Sequence, residues 1–205
     1  MSGKLIVVCG ISGAGKSTLI RNALDTSPQL EFMKTYTTRP RRDGEDDSEY
    51  NFISETEYDR RLAESSCWEG GEMYGYRYGE DVTHNRSRLT LGRYVITCCH
   101  PSLEDVEELY RFYPREHASS IYIDTPKEIA AERLVQRGGR TALNKIASDA
   151  ATEITPQFIS KIDYILSPAG SLNTDCLNFN KIISKIIHGA QVNKLCLPIS
   201  QKVGE

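Results

Sequence analysis

"LIVVCGISGAGKST", residues 5–18, decides the fold. Five apolar residues, Leu5 to Cys9, are long enough for one buried strand and bounded by Gly10. The spacing Gly10-x4-Gly15-Lys16-Ser17 then matches a phosphate-binding loop in full. Glycines at Gly10, Gly13 and Gly15 let successive N–H groups of the loop (Ser12, Gly13, Ala14, Gly15) turn inward on one anion. A helix opening near Lys16 adds its positive end. Lys16 is placed to reach terminal phosphates. The Ser17 hydroxyl is placed to contact a magnesium ion, with Thr18 beside it. The expected ligands are therefore the phosphates of a nucleoside triphosphate with a Mg2+ ion.

Working outward, apolar runs alternate with helical segments. Tyr94 to Cys99, residues 120–124 and Tyr164 to Leu166 read as further buried strands. Leu103 to Phe112, a segment from Thr125-Pro126 to about Gly138, residues 144–153 and residues 172–188 read as helices. This alternation predicts an α/β fold, a parallel sheet with helices on both faces. Residues 35–91 break the pattern and are expected to form a small insert. The core is expected over 1–34 and 92–188, and a loose tail over 189–205. Within the insert, Ser54 with Glu57 three residues later reads as a capping box. "EMYGYRYGE", residues 72–80, reads as strand, with Tyr74, Tyr76 and Tyr78 on one face.

The 205 residues are 39% hydrophobic and 26% charged, as in an ordinary globular chain. A net charge of −3 gives no global attraction for nucleic acid or an anionic membrane, so neither is expected as a partner. Residues 1–4 do not read as a signal peptide, and the apolar run after them is too short to span a bilayer. The six cysteines lack C-x-x-C spacing and predict reduced thiols in a cytoplasmic protein. A monomer or a homodimer is expected.

A second basic cluster lies at "TYTTRPRRDGEDDSEYNFIS", residues 35–54. Arg39, Arg41 and Arg42 with Tyr50 could grip a small phosphate by charge-assisted hydrogen bonds. On charge pattern alone they could equally be a solvated turn balanced by Glu45, Asp46 and Asp47.

Taken with the loop, this stretch resembles the guanylate kinase family. The resemblance rests on Thr37-Thr38-Arg39, Arg42, Gly44-Glu45, Tyr50-Asn51-Phe52, Glu69 and Tyr78-Gly79, and covers about residues 4–188. It implies ATP-dependent phosphoryl transfer to a nucleoside monophosphate, GMP or dGMP above others, giving the diphosphate. It makes 35–91 the monophosphate-binding insert. Arg39, Arg42, Tyr50 and Tyr78 would hold the acceptor phosphate, Glu69 a guanine edge, and Thr35 the base oxygen. Arg133 and Arg137 match lid arginines, with the lid at about 137–150, and join Lys16 and Arg39 as the catalytic set. The acceptor is already an anion, so no general base is required, and Cys98-Cys99-His100 is not expected to act as a dyad.

Four positions depart from the family pattern. Thr97 and Cys99 replace an acidic pair, one member of which reads the base. Glu80 replaces a hydroxyl residue; it could bind base N–H groups or face solvent. Asp149 falls where a later lid arginine is usual, and Arg140 could substitute for that arginine. Ser167-Pro168 replaces an asparagine near the donor base. Two other readings remain. One is a kinase resembling ribose 1,5-bisphosphate phosphokinase, favoured by the order Thr38-Arg39-Pro40. The other is a guanylate-kinase-like binding module without activity.

Overall fold

A computed structural model describes residues 3–41, 47, 50–64, 67–73, 75–137, 146, 147 and 149–189, without the side chains of 67–70, 73 and 137. Arg42, Arg140 and most of the expected lid lie outside the described residues, as does the tail beyond Gly189. The chain divides into two compact units, residues 1–4 with 29–96 and residues 5–28 with 97–205.

The second unit is built on β1 (Leu5–Cys9), β8 (Ala118–Ile123) and β9 (Tyr164–Leu166). β1 and β8 run parallel from Leu5 opposite Ala118 to Cys9 opposite Tyr122, and β8 and β9 run parallel from Ile121 opposite Tyr164. Every residue of β1 and β8 is buried, as expected of parallel strands covered on both faces. Helices α1 (Lys16–Thr26), α4 (Leu103–Phe112), α5 (Lys127–Arg137), α6 (Pro156–Lys161) and α7 (Leu172–His188) accompany them. Leu19, Ile20 and Ala23 form the buried stripe of α1; Phe179, Ile182, Ile183 and Ile186 form that of α7. Asn180 of α7 donates to Asn22 of α1 at 3.0 Å. The sequence does not announce α6, whose single turn begins at a Thr155 cap with Pro156 in its first turn.

The first unit contains β2 (Leu30–Phe32), which pairs in parallel with the first half of β7 (Tyr94–Cys99). Among the described residues the larger sheet has the order β2-β7-β1-β8-β9. A separate sheet of the first unit has the order β4-β3-β6-β5, made of β3 (Thr35–Thr37), β4 (Tyr50–Phe52), β5 (Cys67–Met73) and β6 (Tyr76–Asp81). β3 is parallel to β4 and antiparallel to β6. Residues 72–80 are therefore not one strand. Gly75 takes φ +78°, the left-handed value a tight turn uses, and the chain reverses there into a β5–β6 hairpin. Tyr76 and Tyr78 stay on one strand, and Tyr74 lies outside the described residues.

Two helices flank that sheet. α2 (Glu55–Ala63) starts where expected, with the Ser54 hydroxyl accepting from the Glu57 N–H. Its Tyr58 is fully buried and donates to the Tyr78 carbonyl at 2.7 Å, with the Arg77 guanidinium over its ring. α3 (Val82–Thr90), unannounced by the sequence, is capped by Asp81. Arg88 of α3 and Arg93 both bind Glu31 of β2, holding the Glu31 carboxyl below its usual range through the Arg88 hydrogen bond.

Candidate functional site

The donor loop belongs entirely to the second unit. Gly13 (φ +81°) and Gly15 (φ +103°) adopt backbone angles that side chains resist. A methyl group at Gly13 would also lie 2.3 Å from the Ala130 carbonyl oxygen, so glycine is what lets α5 pack against the loop. The Thr125 hydroxyl donates to the Ala14 carbonyl at 3.1 Å, and Arg133 donates to the Gly13 and Ala14 carbonyls at 3.4 and 3.3 Å. Arg133, expected as a lid arginine, thus lies against the loop. The side chain of Arg137 lies outside the described residues.

The helix behind the loop lacks a cap. In α2, α3, α4, α6 and α7 a side chain of Ser54, Asp81, Ser102, Thr155 or Ser171 accepts from the first turn. At α1 the cap position is Gly15, no side chain caps it, and the first turn carries no acid. Its N–H groups remain available to an anion. Residues 12–17, with Leu134, wall a cavity of 170 Å3 at this point. Ser17 is exposed; Gly10 is buried and closely packed against Ala14 and Ile123. Thr18 lies one residue further along α1 and does not wall the cavity.

Lys16 turns back on its own loop. Its ammonium donates to the carbonyls of Gly10 and Ile11, the latter at 3.1 Å. Burial lowers its pKa from the usual lysine value, partly offset by Cys98, Cys99, Asp149 and Cys9. A desolvated ammonium held only by carbonyls gains when a phosphate arrives. Cys99 contacts Cys9, sulfur to sulfur, at 3.4 Å, and this contact together with burial pushes its thiol well up. A raised thiol pKa disfavours the nucleophilic thiolate. Among the described residues, Cys9, Cys98, Cys99 and Cys176 form no disulfide.

The first unit brings together some of the expected acceptor residues but not all: Glu69 pairs with Gly79, the register position between Tyr78 and Glu80, and Arg42 lies outside the described residues. Arg39 is buried at 7% exposure, so it is not part of a solvated turn. Its guanidinium lies over the rings of Tyr50 and Phe52, at 5.5 and 5.2 Å, and donates to the Pro40 carbonyl. Tyr50 meets Tyr78 edge to face at 6.2 Å. Register explains the convergence: Thr35 stands opposite both Tyr50 and Glu80, and Thr37 opposite Phe52 and Tyr78. Cross-strand partners share a face, so Thr35, Tyr50, Tyr78 and Glu80 belong to one side of the sheet. Glu69 is placed on β5 opposite Gly79, next to a bulge between Glu69 and Gly71.

Glu80 does not face solvent. It is 3% exposed and accepts from Asn85 Nδ2 at 3.3 Å; burial raises its pKa to about 8. Asn85 also grips the Lys34 backbone, accepting its N–H at 3.0 Å and donating to its carbonyl at 3.1 Å. Sequence reasoning missed Asn85, because one amide in a short polar helix carries no pattern. It also missed the part Asp149 takes, whose carboxylate accepts the Ser12 N–H at 2.9 Å.

The guanylate kinase family model matches residues 2–185. A guanylate kinase of Helicobacter pylori is 31% identical over 186 residues, spanning 89% of this chain and 85% of the relative. A guanylate kinase of Rubrobacter xylanophilus is 35% identical over 158 residues, spanning 71% and 81%. Among solved structures, a guanylate kinase from Anaplasma phagocytophilum superposes with a TM-score of 0.61 at 21% identity, covering 94% of this chain and 88% of that one. A gluconokinase from Sinorhizobium meliloti superposes at 0.51 and 15% identity, covering 92% and 97%, a likeness of fold alone. With a matching family model over nearly its whole length and relatives at this identity, the chain belongs to the guanylate kinase family.

Proposed function

We propose that this chain transfers the terminal phosphoryl group of ATP to a nucleoside monophosphate, with GMP or dGMP preferred, giving the diphosphate. The observation that carries this reading is the uncapped, glycine-built start of α1, in a chain that also brings Arg39, Tyr50 and Tyr78 together, a set suited to a second anion. Phosphoryl transfer asks mainly for charge and alignment, and both positions supply the charge.

In this reading Lys16 exchanges its loop carbonyls for the donor's phosphates. Arg133, already against the loop, neutralises charge on the group in transit, and Arg39 and Tyr50 hold the acceptor phosphate. Among the described residues, no group of three His, Cys, Asp or Glu side chains could hold a metal ion. A magnesium ion would therefore ride on the donor's phosphates with the Ser17 hydroxyl as its protein contact, the usual habit of that ion. Bound there, it would neutralise phosphate charge.

The test is ADP release, measured by a coupled assay, with Mg-ATP and each common ribo- and deoxyribonucleoside monophosphate in turn, plus ribose 1,5-bisphosphate. Turnover greatest with GMP or dGMP is expected. Turnover with ribose 1,5-bisphosphate alone would transfer the assignment to a base-free acceptor. No turnover with any acceptor would leave a binding module.

A further inference from the structure

Asp149 occupies a position that a phosphate-binding loop does not need filled. Its carboxylate accepts the Ser12 N–H at 2.9 Å, at the rim of the loop, and is almost wholly buried. Its second oxygen lies 3.6 Å from His100 Nδ1, and His100 Nε2 is 2.8 Å from the Thr152 hydroxyl. Lys127 of α5 donates to the Ala150 and Thr152 carbonyls, each at 2.9 Å. Residues 149–152 are thereby fastened beside the loop by one charged contact on the loop side and polar contacts behind it. A cavity of 230 Å3, bounded by Ile11, Ser12, Leu134, Ile146 and Asp149, adjoins the contact, so packing does not brace it.

Two anions compete for this loop. Asp149 is a fixed negative charge whose field reaches Lys16. A triphosphate would bring several more charges to the loop whose Ser12 amide Asp149 holds and to the ammonium its field reaches. Like charges a few ångströms apart in a poorly solvated site repel strongly.

We propose that Asp149 is a built-in competitor of the donor's phosphates: it holds the unloaded loop through the Ser12 N–H, and the arriving triphosphate displaces it and frees residues 149–152. The proposal rests on the kinase reading of the loop and adds to it a device that sets donor affinity. Asp149→Asn keeps an oxygen that can accept the Ser12 N–H but removes the charge, so it isolates electrostatic competition from geometry.

The experiment is calorimetric titration of the full chain with a non-hydrolysable ATP analogue and Mg2+. Wild type, Asp149→Asn and Lys16→Ala are compared at low and high salt. At low salt the Asp149→Asn variant should bind roughly five- to twentyfold more tightly than wild type, with the gap narrowing at high salt. Equal or weaker binding by Asp149→Asn, with wild type binding normally, overturns the proposal and leaves the kinase reading intact. Binding by none of the proteins, or equal binding by Lys16→Ala and wild type, removes the donor site itself and the proposal with it. Amide hydrogen exchange on wild type gives a measurement that needs no variant. The analogue should protect residues 13–17 while residues 150–152 lose protection; added protection at both overturns displacement.

Discussion

The loop in residues 10–18 and the cluster of residues 35–80, the two anion positions of the proposed reaction, are built by opposite means. The loop is built with backbone. Its glycines bend the chain, its helix start is left uncapped, and its chemistry is contained in nine consecutive residues. The cluster is built with side chains. Thr35, Tyr50, Tyr78 and Glu80 come from β3, β4 and β6, and only strand register puts them on one face, while Arg39, two residues past β3, lies over the Tyr50 ring. The backbone site tolerates little at Gly13, where an added methyl meets the Ala130 oxygen at 2.3 Å. The side-chain site depends on residues from separate elements, such as Glu80 of β6 and its partner Asn85 of α3.

The sharpest way to break this contrast is Lys16→Ala, which removes the loop's own ammonium. Turnover should fall by roughly a thousandfold or more, since a lost charge contact to the moving phosphoryl is costly. The melting temperature should hold or rise, because a desolvated ammonium is removed. Turnover within tenfold of wild type would show that Lys16 is not at the reacting phosphates.

Next is Gly13→Ala. The required φ of +81° and the 2.3 Å approach to the Ala130 oxygen predict a loss of about 2–4 kcal/mol in stability, read by denaturant melts. An unchanged midpoint would mean that α5 can retreat from the loop, and that the backbone site is softer than its geometry implies.

Arg39→Ala addresses the other half. Acceptor KM should rise roughly 10- to 100-fold, with donor affinity measured by titration left within about twofold. Equal loss for both ligands would show that the two phosphate positions are not separate.

Glu80→Gln is the smallest expected effect, and it depends on pH. The native carboxyl titrates near 8, well above an unfolded glutamate, so the native state binds more protons between those values. Wild-type stability therefore falls as pH rises from about 4.5 to about 8, then levels. Glutamine does not titrate. The variant should match wild type near pH 4.5 and exceed it by about 1–3 kcal/mol at pH 8, read by melts across pH. A constant difference at all pH values would show that Glu80 is solvated.

Much of the larger sheet is legible in sequence because buried parallel strands are continuous apolar runs. Leu5–Cys9 and Tyr164–Leu166 are found where those runs stand. The insert is less legible. Its strands are three to seven residues long and polar on one side, so 72–80 looks like one strand until the turn at Gly75 is seen. α3 and α6 are short and polar, held by caps and tertiary contacts rather than by a strong apolar stripe.

The sequence by itself determined the glycine loop between β1 and α1, since nine adjacent residues carry its pattern and local backbone rules suffice to read them. It also determined family membership, since motif order survives without coordinates. Only tertiary structure decided that Arg39 is buried on aromatic rings, that Glu80 is buried beside Asn85, and that Asp149 reaches the Ser12 amide across 137 positions of chain. Burial and long-range hydrogen bonds depend on which surfaces meet, and no local pattern of residues encodes that.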